Sequence, residues 1–292
     1  MFLSIDIGGT ALKYALFDGE EMKEKGELLS AGSLGPEVLV ENLCKIIDQY
    51  NDLDAIGIDT AGLVNSSAGV ICSAGNLKIH SDFPLVARLK EKYDLPIYLE
   101  NDVNAAALGE AFYGSCKDNP SFLFLAYGTG IGGGIVINRQ IFDGNDGFGG
   151  EMGHLILHPA GRHCGCGCDG CYEQYASTTA LVAAAKEVDP TVTNGRILFE
   201  KFAAGDKAMK DSIGHWVGEV VLGLISLVHI FNPSAILLGG GIMNESYLVS
   251  QVEEKLMKSI MPSYRSVQVK HAALGNYAGV YGMLARHMSE QK

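Results

Sequence analysis

The sequence contains few basic residues for its length. Lys and Arg together number 22 of 292 residues against 34 Asp and Glu, so the formal net charge is −12 and the sequence pI is about 5.1. Binding to nucleic acid or to an anionic membrane surface draws its affinity from Lys and Arg. We therefore expect small-molecule partners, with no nucleic acid and no membrane among them.

We expect neither an export signal nor a membrane-spanning segment in this sequence. The N-terminal residues MFLSIDIGGT reach an Asp and two Gly too early for the apolar core of a signal peptide, and no basic segment precedes them. The most apolar stretch, residues 217–231, is too short to cross a bilayer and contains Glu219 and His229, so we expect a buried helix there. We therefore expect a cytoplasmic protein, in which clustered cysteines bind metal more often than they form disulfides.

Two segments of the sequence resemble each other. Residues 3–20 (LSIDIGGTALKYALFDGE) and 122–140 (FLFLAYGTGIGGGIVINRQ) each contain an apolar run, a turn rich in Gly and Thr, and a second apolar run. This pattern predicts two hairpins, which are either a duplicated unit or unrelated. Elsewhere apolar strands alternate with helices, which is typical of two α/β lobes with a cleft at the strand ends. We expect one lobe from residues 1–115 with a C-terminal helix at about 278–292, and a larger lobe from residues 116–277.

Three Gly-rich turns follow predicted strands, at Asp6–Thr10, Gly128–Gly133 and Gly239–Gly241. Gly lets backbone N–H groups approach an anion closely, and Thr adds a hydroxyl donor. The carboxylate beside the first turn suits a hydrated Mg²⁺ on a nucleotide, and the third turn could admit a nucleoside. A single Gly turn is usually only a tight hairpin, whereas three of them favour a split nucleotide site. The sequence lacks the Gly-Lys-Ser/Thr of a Walker loop, and no helix follows either hairpin turn as a Rossmann fold requires.

The motif LENDVNAAA lies where a predicted strand passes into a helix. Either Asn101 or Asp102 could cap that helix, a common arrangement that needs no chemistry. Alternatively, Asn101 orients a hydroxyl group and Asp102 accepts its proton as the oxygen attacks a phosphoryl group. The spacing alone favours the cap.

Cysteine is scarce, yet four of the seven cysteines lie within positions 164–171. One His and three thiolates can form a closed tetrahedral Zn²⁺ site, which has no position for an activated water and is therefore structural. The ligands of this site would be His154, Cys164, Cys166 and Cys171. Cys168 is a fifth candidate, so a site of four cysteines stays open, as does a set of reduced thiols without metal.

Two acidic residues, Glu151 and Glu173, flank the cysteine cluster. A folded metal site would draw them together, and two carboxylates that face a cleft are well suited to bind sugar hydroxyls. Either residue could equally be a solvated acid on the surface.

Taken in order along the chain, these motifs resemble one family of proteins. The segments DIGGTALKYALFD, LENDVNAAALGE, GTGIGGGIV, GEMGHLILHPAGRHCGCGCDGCYE and ILLGGGI occur in the order and spacing seen in the ROK family of bacterial sugar kinases and sugar-responsive repressors. The similarity extends from about Leu3 to Arg286, and its most specific part runs from Glu151 to Glu173. The resemblance implies a two-lobed actin-like ATPase fold of the ribonuclease H-like type, with a zinc-stapled loop. It also implies transfer of the γ-phosphoryl group of ATP, with Mg²⁺, to a hexose hydroxyl, usually the 6-hydroxyl.

The resemblance also implies roles for individual residues. Asp102 would be the base that accepts the hydroxyl proton. This implied role replaces the helix-capping role that the spacing alone favours. His154 would contact the sugar while its other ring nitrogen binds zinc. The other implied sugar contacts are Asn76, Asn101, Glu151 and Glu173, together with Asp102 itself. The implied nucleotide contacts are Asp6, Gly8, Gly9, Thr10 and Lys13 at the first turn, Gly128, Thr129 and Gly130 at the second, and Gly240 near the nucleoside.

The chain departs from the family pattern in three places. It has Ala61-Gly62 where many relatives have Pro-Gly, Tyr277 where many have an acidic residue, and Cys168 at a variable position. None of these changes removes an implied catalytic group.

The resemblance ranks glucose as the first substrate on family frequency. N-acetylmannosamine, N-acetylglucosamine, fructose and β-glucosides are the alternatives. A repressor of this family carries a helix-turn-helix segment ahead of the first strand, which here begins at about Phe2, so we expect an enzyme. A member that binds sugar without turnover is the alternative from another class. Because relatives are commonly dimers, we also expect a homodimer.

Overall fold

The computed structural model describes residues 1–29 and 34–291, in which strands and helices alternate. The strands are β1 (Phe2–Ile7), β2 (Ala11–Asp18), β3 (Glu21–Leu29), β4 (Ala55–Thr60), β5 (Leu63–Asn65), β6 (Val70–Ser73), β7 (Ile97–Asn101), β8 (Phe122–Tyr127), β9 (Ile131–Ile137), β10 (Gln140–Ile141), β11 (Ala235–Gly239) and β12 (Gln268–His271). The α-helices are α1 (Pro36–Ile47), α2 (Leu85–Lys90), α3 (Asp102–Phe112), α4 (Glu173–Ala176), α5 (Thr178–Val188), α6 (Gly195–Ala203), α7 (Lys207–Phe231), α8 (Ser246–Ser259) and α9 (Ala278–Glu290).

The described residues group into two compact units. The first comprises Met1–Asp118, Ile135–Gly149 and Ala273–Lys292, and the second comprises Asn119–Gly134 and Gly150–Ala272.

The sheet of the first unit has the strand order β3-β2-β1-β4-β7. Its first three strands pair antiparallel, whereas β4 and β7 run parallel to β1. Every residue of β4 is buried, which is typical of a parallel strand that is covered on both faces. The strands β5 and β6 form a separate hairpin.

The sequence pattern explains helix α1 in this unit. Pro36 lies in its first turn, where the missing N–H leaves no hydrogen bond unmade. Leu39, Leu43 and Ile46 lie on one face and are fully buried in the core that they share with β1 and β4. The helix ends at Ile47, so Tyr50, which continues the same spacing, lies beyond the helix and packs against that core from the following turn.

The second sheet has the order β10-β9-β8-β11-β12. Its strand β11 runs parallel to both β8 and β12, and β10 pairs antiparallel with the end of β9. When the strands of each sheet are numbered along the chain, both sheets have the order 3-2-1-4-5. The two similar sequence segments thus occupy equivalent hairpins, β1–β2 and β8–β9, in two sheets of the same topology.

Helix α7 is longer than the apolar stretch from which it was predicted. It contains 25 residues, so the prediction that this segment is too short to cross a bilayer was wrong on length. Its most apolar window has 56% of its residues buried inside the protein, and the buried residues include Trp216, Val220 and Leu224. The predicted burial therefore holds, and α7 packs as a core helix of the second unit.

Candidate active site

The turn between β1 and β2 consists of Gly8, Gly9 and Thr10. The N–H of Gly8 donates a hydrogen bond to the carbonyl of Ala11 at 2.9 Å, and a Cβ on Gly8 would stand 2.9 Å from that oxygen, closer than real Cβ atoms approach. Gly9 and Thr10 are exposed. The side chain of Asn76 lies beside Gly9, because a Cβ there would be 3.5 Å from Asn76 Nδ2. Exposed N–H groups in such a turn can bind an anion, and Asn76 adds an amide next to them.

A row of charged side chains crosses the first sheet. Lys13 on β2, Asp6 on β1, Asp59 on β4 and Glu100 on β7 occupy the same register position. Asp59 is only 1% exposed, and neither of its oxygens has a hydrogen-bond donor among the residues that the structure describes. The sequence analysis did not single out Asp59, although an acid inside the otherwise apolar strand AIGIDT was the available signal.

Burial controls the protonation of this row. It raises the pKa of Asp59 well above the usual value, and the neighbouring carboxyl groups of Asp6 and Asp102 raise it further. Burial also raises the pKa of Asp6, although the ammonium group of Lys13 opposes that change. Asp59 is the more deeply buried of the two, so it is the residue that retains a proton, with Asp6 beside it as the acceptor.

We expect Asp59→Asn to make the protein more stable at high pH. The folded state holds a proton on Asp59 that the unfolded chain releases above its ordinary pKa of 3.8. The free energy of unfolding of the wild type should therefore fall as the pH rises from that value towards the raised pKa. Each unit by which the pKa of Asp59 is raised lowers the free energy of unfolding at high pH by about 1.4 kcal/mol. The neutral Asn avoids this cost.

The measurement is urea denaturation at several pH values between 4 and 9. The advantage of Asp59→Asn over the wild type should widen with pH, whereas the exposed control Asp211→Asn should follow the wild type. A variant that is equally destabilised at every pH would show that Asp59 is ionised and stabilised in the fold.

The junction between β7 and α3 places Asn101 and Asp102. The Asn101 side chain caps α3: its Oδ1 accepts hydrogen bonds from the N–H groups of Val103 at 2.9 Å and Asn104 at 3.1 Å. Its Nδ2 donates to the carbonyl oxygen of Gly62 at 3.1 Å. Of the two residues that could cap the helix, Asn101 is the cap and Asp102 is the first helical residue. A carboxylate in the first helical turn is stabilised by the N-terminal end of the helix dipole.

The four predicted zinc ligands lie together in the second unit. The ligand atoms of His154, Cys164, Cys166 and Cys171 all fall within 4.8 Å of one another. Cys164 Sγ lies 3.6 Å from His154 Nδ1, and Cys166 Sγ lies 3.5 Å from Cys171 Sγ. With Zn–S bonds of about 2.3 Å, a tetrahedral site separates its donors by about 3.8 Å. These residues therefore fit a closed zinc site, and Cys168 is not in the group of four whose ligand atoms lie together.

The loop around the cysteines depends on its own backbone contacts. The N–H of Cys164 donates to the carbonyl of Cys168 at 2.9 Å, and the N–H of Gly167 donates to the carbonyl of Cys164 at 3.0 Å. Gly170 has φ 86°, and a Cβ there would overlap the carbonyl of His158, so this position requires Gly. A hydrogen bond from the Cys168 N–H, with the neighbouring thiols, lowers the pKa of Cys166 to about 7. A thiolate at Cys166 favours metal binding, whereas burial raises the pKa of both Cys164 and Cys171, so these two thiols lose their protons as the metal binds.

His154 connects the cysteine cluster with two acidic residues. Its Nδ1 faces Cys164, while its Nε2 lies 3.8 Å from Glu151 Oε2. Glu173 begins α4, and its Oε1 lies 4.0 Å from His154 Nδ1 and accepts a hydrogen bond from Cys164 Sγ at 3.2 Å. Glu173 also approaches Gly130 in the second Gly turn. The predicted grouping of Glu151, His154 and Glu173 around the cluster is therefore what the structure shows.

A cavity of about 980 Å³ opens beside the second Gly turn, within the second unit. Gly128 and Thr129 lie at one side of it, next to the N-termini of α5 and α6, where the positive ends of the helix dipoles favour an anion. The apolar side chains that line it are Val182, Phe199, Phe202 and Ile242. This size and lining suit a nucleoside.

The third Gly turn contributes to this cavity through a neighbour of the predicted residue. Gly241 and Ile242 line the cavity, whereas a Cβ on Gly240 would overlap the backbone of Tyr127, and Gly240 has φ 89°. Gly240 thus packs the turn onto β8. Sequence reasoning assigned no role in the site to α5 or α6. The segment NGRILFEKFA has the pattern of an ordinary amphipathic helix, which gives no sign that it lines a cavity.

The two sheets have the same strand order, and each has a Gly turn after its first strand. A nucleoside-sized cavity lies beside one of these turns. This combination defines an actin-like ATPase fold. The chain belongs to the ROK family, whose sequence description matches residues 2–289. Both the predicted family and the predicted fold class are thereby confirmed.

Individual relatives extend over the whole chain. A glucokinase from Streptomyces coelicolor is 32% identical over 310 residues, which cover 96% of this chain and 95% of the relative. An N-acetyl-D-glucosamine kinase from Mannheimia succiniciproducens is 27% identical over 305 residues, which cover 99% and 100%.

Solved structures show the same similarity. The ROK hexokinase from Thermus thermophilus superposes with a TM-score of 0.89 at 32% identity, and the match covers 99% of each chain. A ROK family glucokinase from Streptomyces griseus in complex with glucose and AMPPNP superposes with a TM-score of 0.83 at 29% identity, and the match covers 100% of this chain and 99% of that one.

Proposed function

We propose that the chain is an ATP-dependent sugar kinase that phosphorylates the 6-hydroxyl group of a hexose, with glucose as the first choice. The observation that carries the proposal is the group of Glu151, His154 and Glu173 held against the Cys/His cluster. Two carboxylates and an imidazole nitrogen offer the acceptors and the donor that a polyhydroxyl ligand needs. The bound glucose and AMPPNP of the Streptomyces griseus relative support both ligands.

The roles proposed for the first unit are those that the family resemblance implies. Asn101 and Asn76 bind sugar hydroxyls, and Asp102 accepts the proton of the attacking hydroxyl. The N–H group of Gly9, with the Thr10 hydroxyl and Lys13, binds phosphate oxygens, and Gly8, whose N–H is bonded to the Ala11 carbonyl, leaves room for the phosphate to approach the turn. When bound, Mg²⁺ neutralises the charge of the phosphates, and Asp6 is the acid beside that turn. A sugar hydroxyl is a weak nucleophile, so alignment supplies much of the catalysis.

The roles of the second unit concern recognition. Glu151, His154 and Glu173 bind the sugar, and Gly128, Thr129 and Gly130 contribute N–H and hydroxyl donors to the nucleotide. The aromatic rings of Phe199 and Phe202 contact the base in the cavity. Zinc, when bound, holds the loop so that His154 presents Nε2 in a fixed direction.

The experiment that tests the function is ADP release from Mg-ATP with a panel of sugars: glucose, N-acetylglucosamine, N-acetylmannosamine, fructose, a β-glucoside, and no sugar. We expect the largest stimulation with glucose. Stronger stimulation by another sugar would still support kinase activity, but it would identify that sugar and not glucose as the substrate. A flat panel from folded, zinc-loaded protein that still binds sugar in calorimetry would contradict a kinase and favour a sugar-binding regulator.

N-acetylglucosamine is the second candidate substrate. It is favoured by the Mannheimia succiniciproducens relative, which matches 99% of this chain. The hydroxyl groups at positions 3, 4 and 6 are common to both sugars, so the contacts of Asp102 and Glu151 do not separate them. The ratio of kcat/KM for the two sugars decides between them.

We further propose that the protein forms a homodimer through exposed apolar residues in the C-terminal half of α7 and at Met261, which follows α8. Leu222 is 45% exposed, Ile230 is 67% exposed, and Met261, whose N–H donates to His229 on α7, is 51% exposed. Large apolar patches left open to water commonly mark interfaces. We expect sedimentation at the mass of a dimer, and a shift towards monomer for Leu222→Lys/Ile230→Lys. A monomeric wild type at micromolar concentration would contradict this assignment.

A further inference from the structure

Glu100 ties together the residues at the junction of β7 and α3. It is 3% exposed, and its Oε1 accepts hydrogen bonds from the Asn101 N–H and the Ser66 hydroxyl, both at 2.9 Å. The side-chain amide of Asn104, on the first turn of α3, donates to the same oxygen at 3.4 Å. One carboxylate oxygen therefore fixes the backbone immediately before Asp102.

The other oxygen of Glu100 is held by helix α9. Arg286 Nη1 donates to Glu100 Oε2 at 2.8 Å and to the carbonyl oxygen of Leu99 at 3.0 Å. The guanidinium group also lies over the ring of Tyr98, 5.8 Å from its centroid. A single nitrogen of Arg286 thus anchors both the side chain and the backbone at the end of β7. Burial raises the pKa of Glu100, and the nearby guanidinium opposes this change.

Helix α9 is itself fixed against α3. A Cβ on Gly109 of α3 would overlap the carbonyl of Ala278, and a Cβ on Gly282 of α9 would overlap the carbonyl of Ala105. The two helix backbones are therefore in direct contact, which only Gly permits at these positions. Arg286 extends from a support that is rigid relative to the helix that begins with Asp102.

We propose that Arg286, acting through Glu100, is a positioning residue that holds the β7–α3 junction so that Asp102 keeps its orientation towards the hydroxyl group that it deprotonates. This inference rests on the proposed kinase function. Arg286 contacts Glu100, Leu99 and Tyr98, and its guanidinium group also opposes the rise that burial causes in the pKa of Asp143.

The experiment compares Arg286→Met with Arg88→Met. Arg88 forms a two-point ion pair with Glu37 at 2.9 and 2.7 Å in the same unit, so it is a control for loss of one arginine and one ion pair. We expect Arg286→Met to lower kcat by about 10- to 100-fold, because small displacements of reacting groups have effects of this size. The KM for ATP should stay within about threefold, since the nucleotide contacts are elsewhere, and Arg88→Met should keep wild-type kcat.

Two further variants separate positioning from folding. In Arg286→Lys a single ammonium nitrogen can make the two contacts that Nη1 makes now, so kcat should return to within about threefold of the wild type. In Glu100→Gln/Arg286→Met both charges are absent, which avoids an unpaired buried carboxylate, and kcat should remain low although the protein melts as a folded protein.

Hydrogen exchange gives a readout that does not depend on turnover. The amides of Asn101, Val103 and Asn104 should exchange faster in Arg286→Met than in the wild type, and Arg88→Met should leave them unchanged. An Arg286→Met variant with kcat within threefold of the wild type, or with unchanged exchange at these amides, would overturn the inference. A wild type that phosphorylates no sugar would contradict the proposed function instead, and the exchange comparison would still decide the positioning role.

Discussion

Asp102→Asn is expected to abolish turnover while the protein still binds sugar. A general base contributes about 10²- to 10⁴-fold to a rate, so kcat should fall by that amount, and the dissociation constant for glucose should change by only a few-fold. The amide has the shape of the carboxyl group and can still bond to hydroxyls. It cannot accept the proton of the attacking oxygen.

The structure makes this substitution interpretable because Asn101, not Asp102, caps α3. Removal of the Asp102 charge therefore leaves both capping hydrogen bonds in place, and the loss of its favourable interaction with the helix dipole costs only about 0.3–1 kcal/mol. The measurements are steady-state kinetics and glucose calorimetry on the same preparation. The exposed Asp94→Asn serves as a control of equal charge change. A kcat within tenfold of the wild type would remove Asp102 from the role of base.

Cys166→Ser is expected to release zinc and to disable sugar recognition. Cys166 is one of the four grouped ligands, and three ligands leave the closed site incomplete. Because the loop then loses its fixed shape, His154 and the two acidic residues beside it lose their common orientation. Loss of residues that only orient metal ligands lowers metal affinity or activity by about 10- to 100-fold. We therefore expect activity at low glucose to fall by at least this factor.

Cys168→Ser is the matched control for this prediction. It makes the same chemical change two positions along the loop, at a thiol outside the group of four. Metal analysis should find about one zinc per chain in the wild type and in Cys168→Ser, and substantially less in Cys166→Ser. Zinc loss from Cys168→Ser with retention in a His154→Ala variant would favour a site of four cysteines. A zinc-free protein with full activity would contradict the role of the loop in recognition.

The parts of the site that were predicted from the sequence are local. His154 and the three cysteines lie within 18 consecutive positions, and thiolate and imidazole groups have few other uses in such a loop, so the residue types indicated the ligand set. The hairpin turns were recognisable for the same reason, because Gly and Thr follow an apolar run directly. The sugar and phosphate roles came from family resemblance and stay predictions.

The parts that were missed depend on pairing between distant segments. Asp59 is an acid in a largely apolar strand, but only the register that sets it beside Asp6 and Glu100 reveals a row of acids. Arg286 is likewise an ordinary basic residue of an amphipathic helix until α9 is placed against β7. Phe199 and Phe202 follow helical periodicity, which describes packing against a core and lining of a cavity equally well.

Because the two sheets share one strand order, each position in one sheet can be matched with a position in the other. The position of Asp6 in the first hairpin corresponds to Ala126 in the second, and that of Asp59 to Gly239, since these residues form equivalent pairs at the ends of β1–β4 and β8–β11. One copy of the scaffold carries acids where the other carries the two smallest residues. The acidic copy is suited to proton and cation chemistry, and the small-residue copy to close approach of an uncharged group. The two halves of the chain are therefore not interchangeable in their chemistry, although their sheets share one strand order.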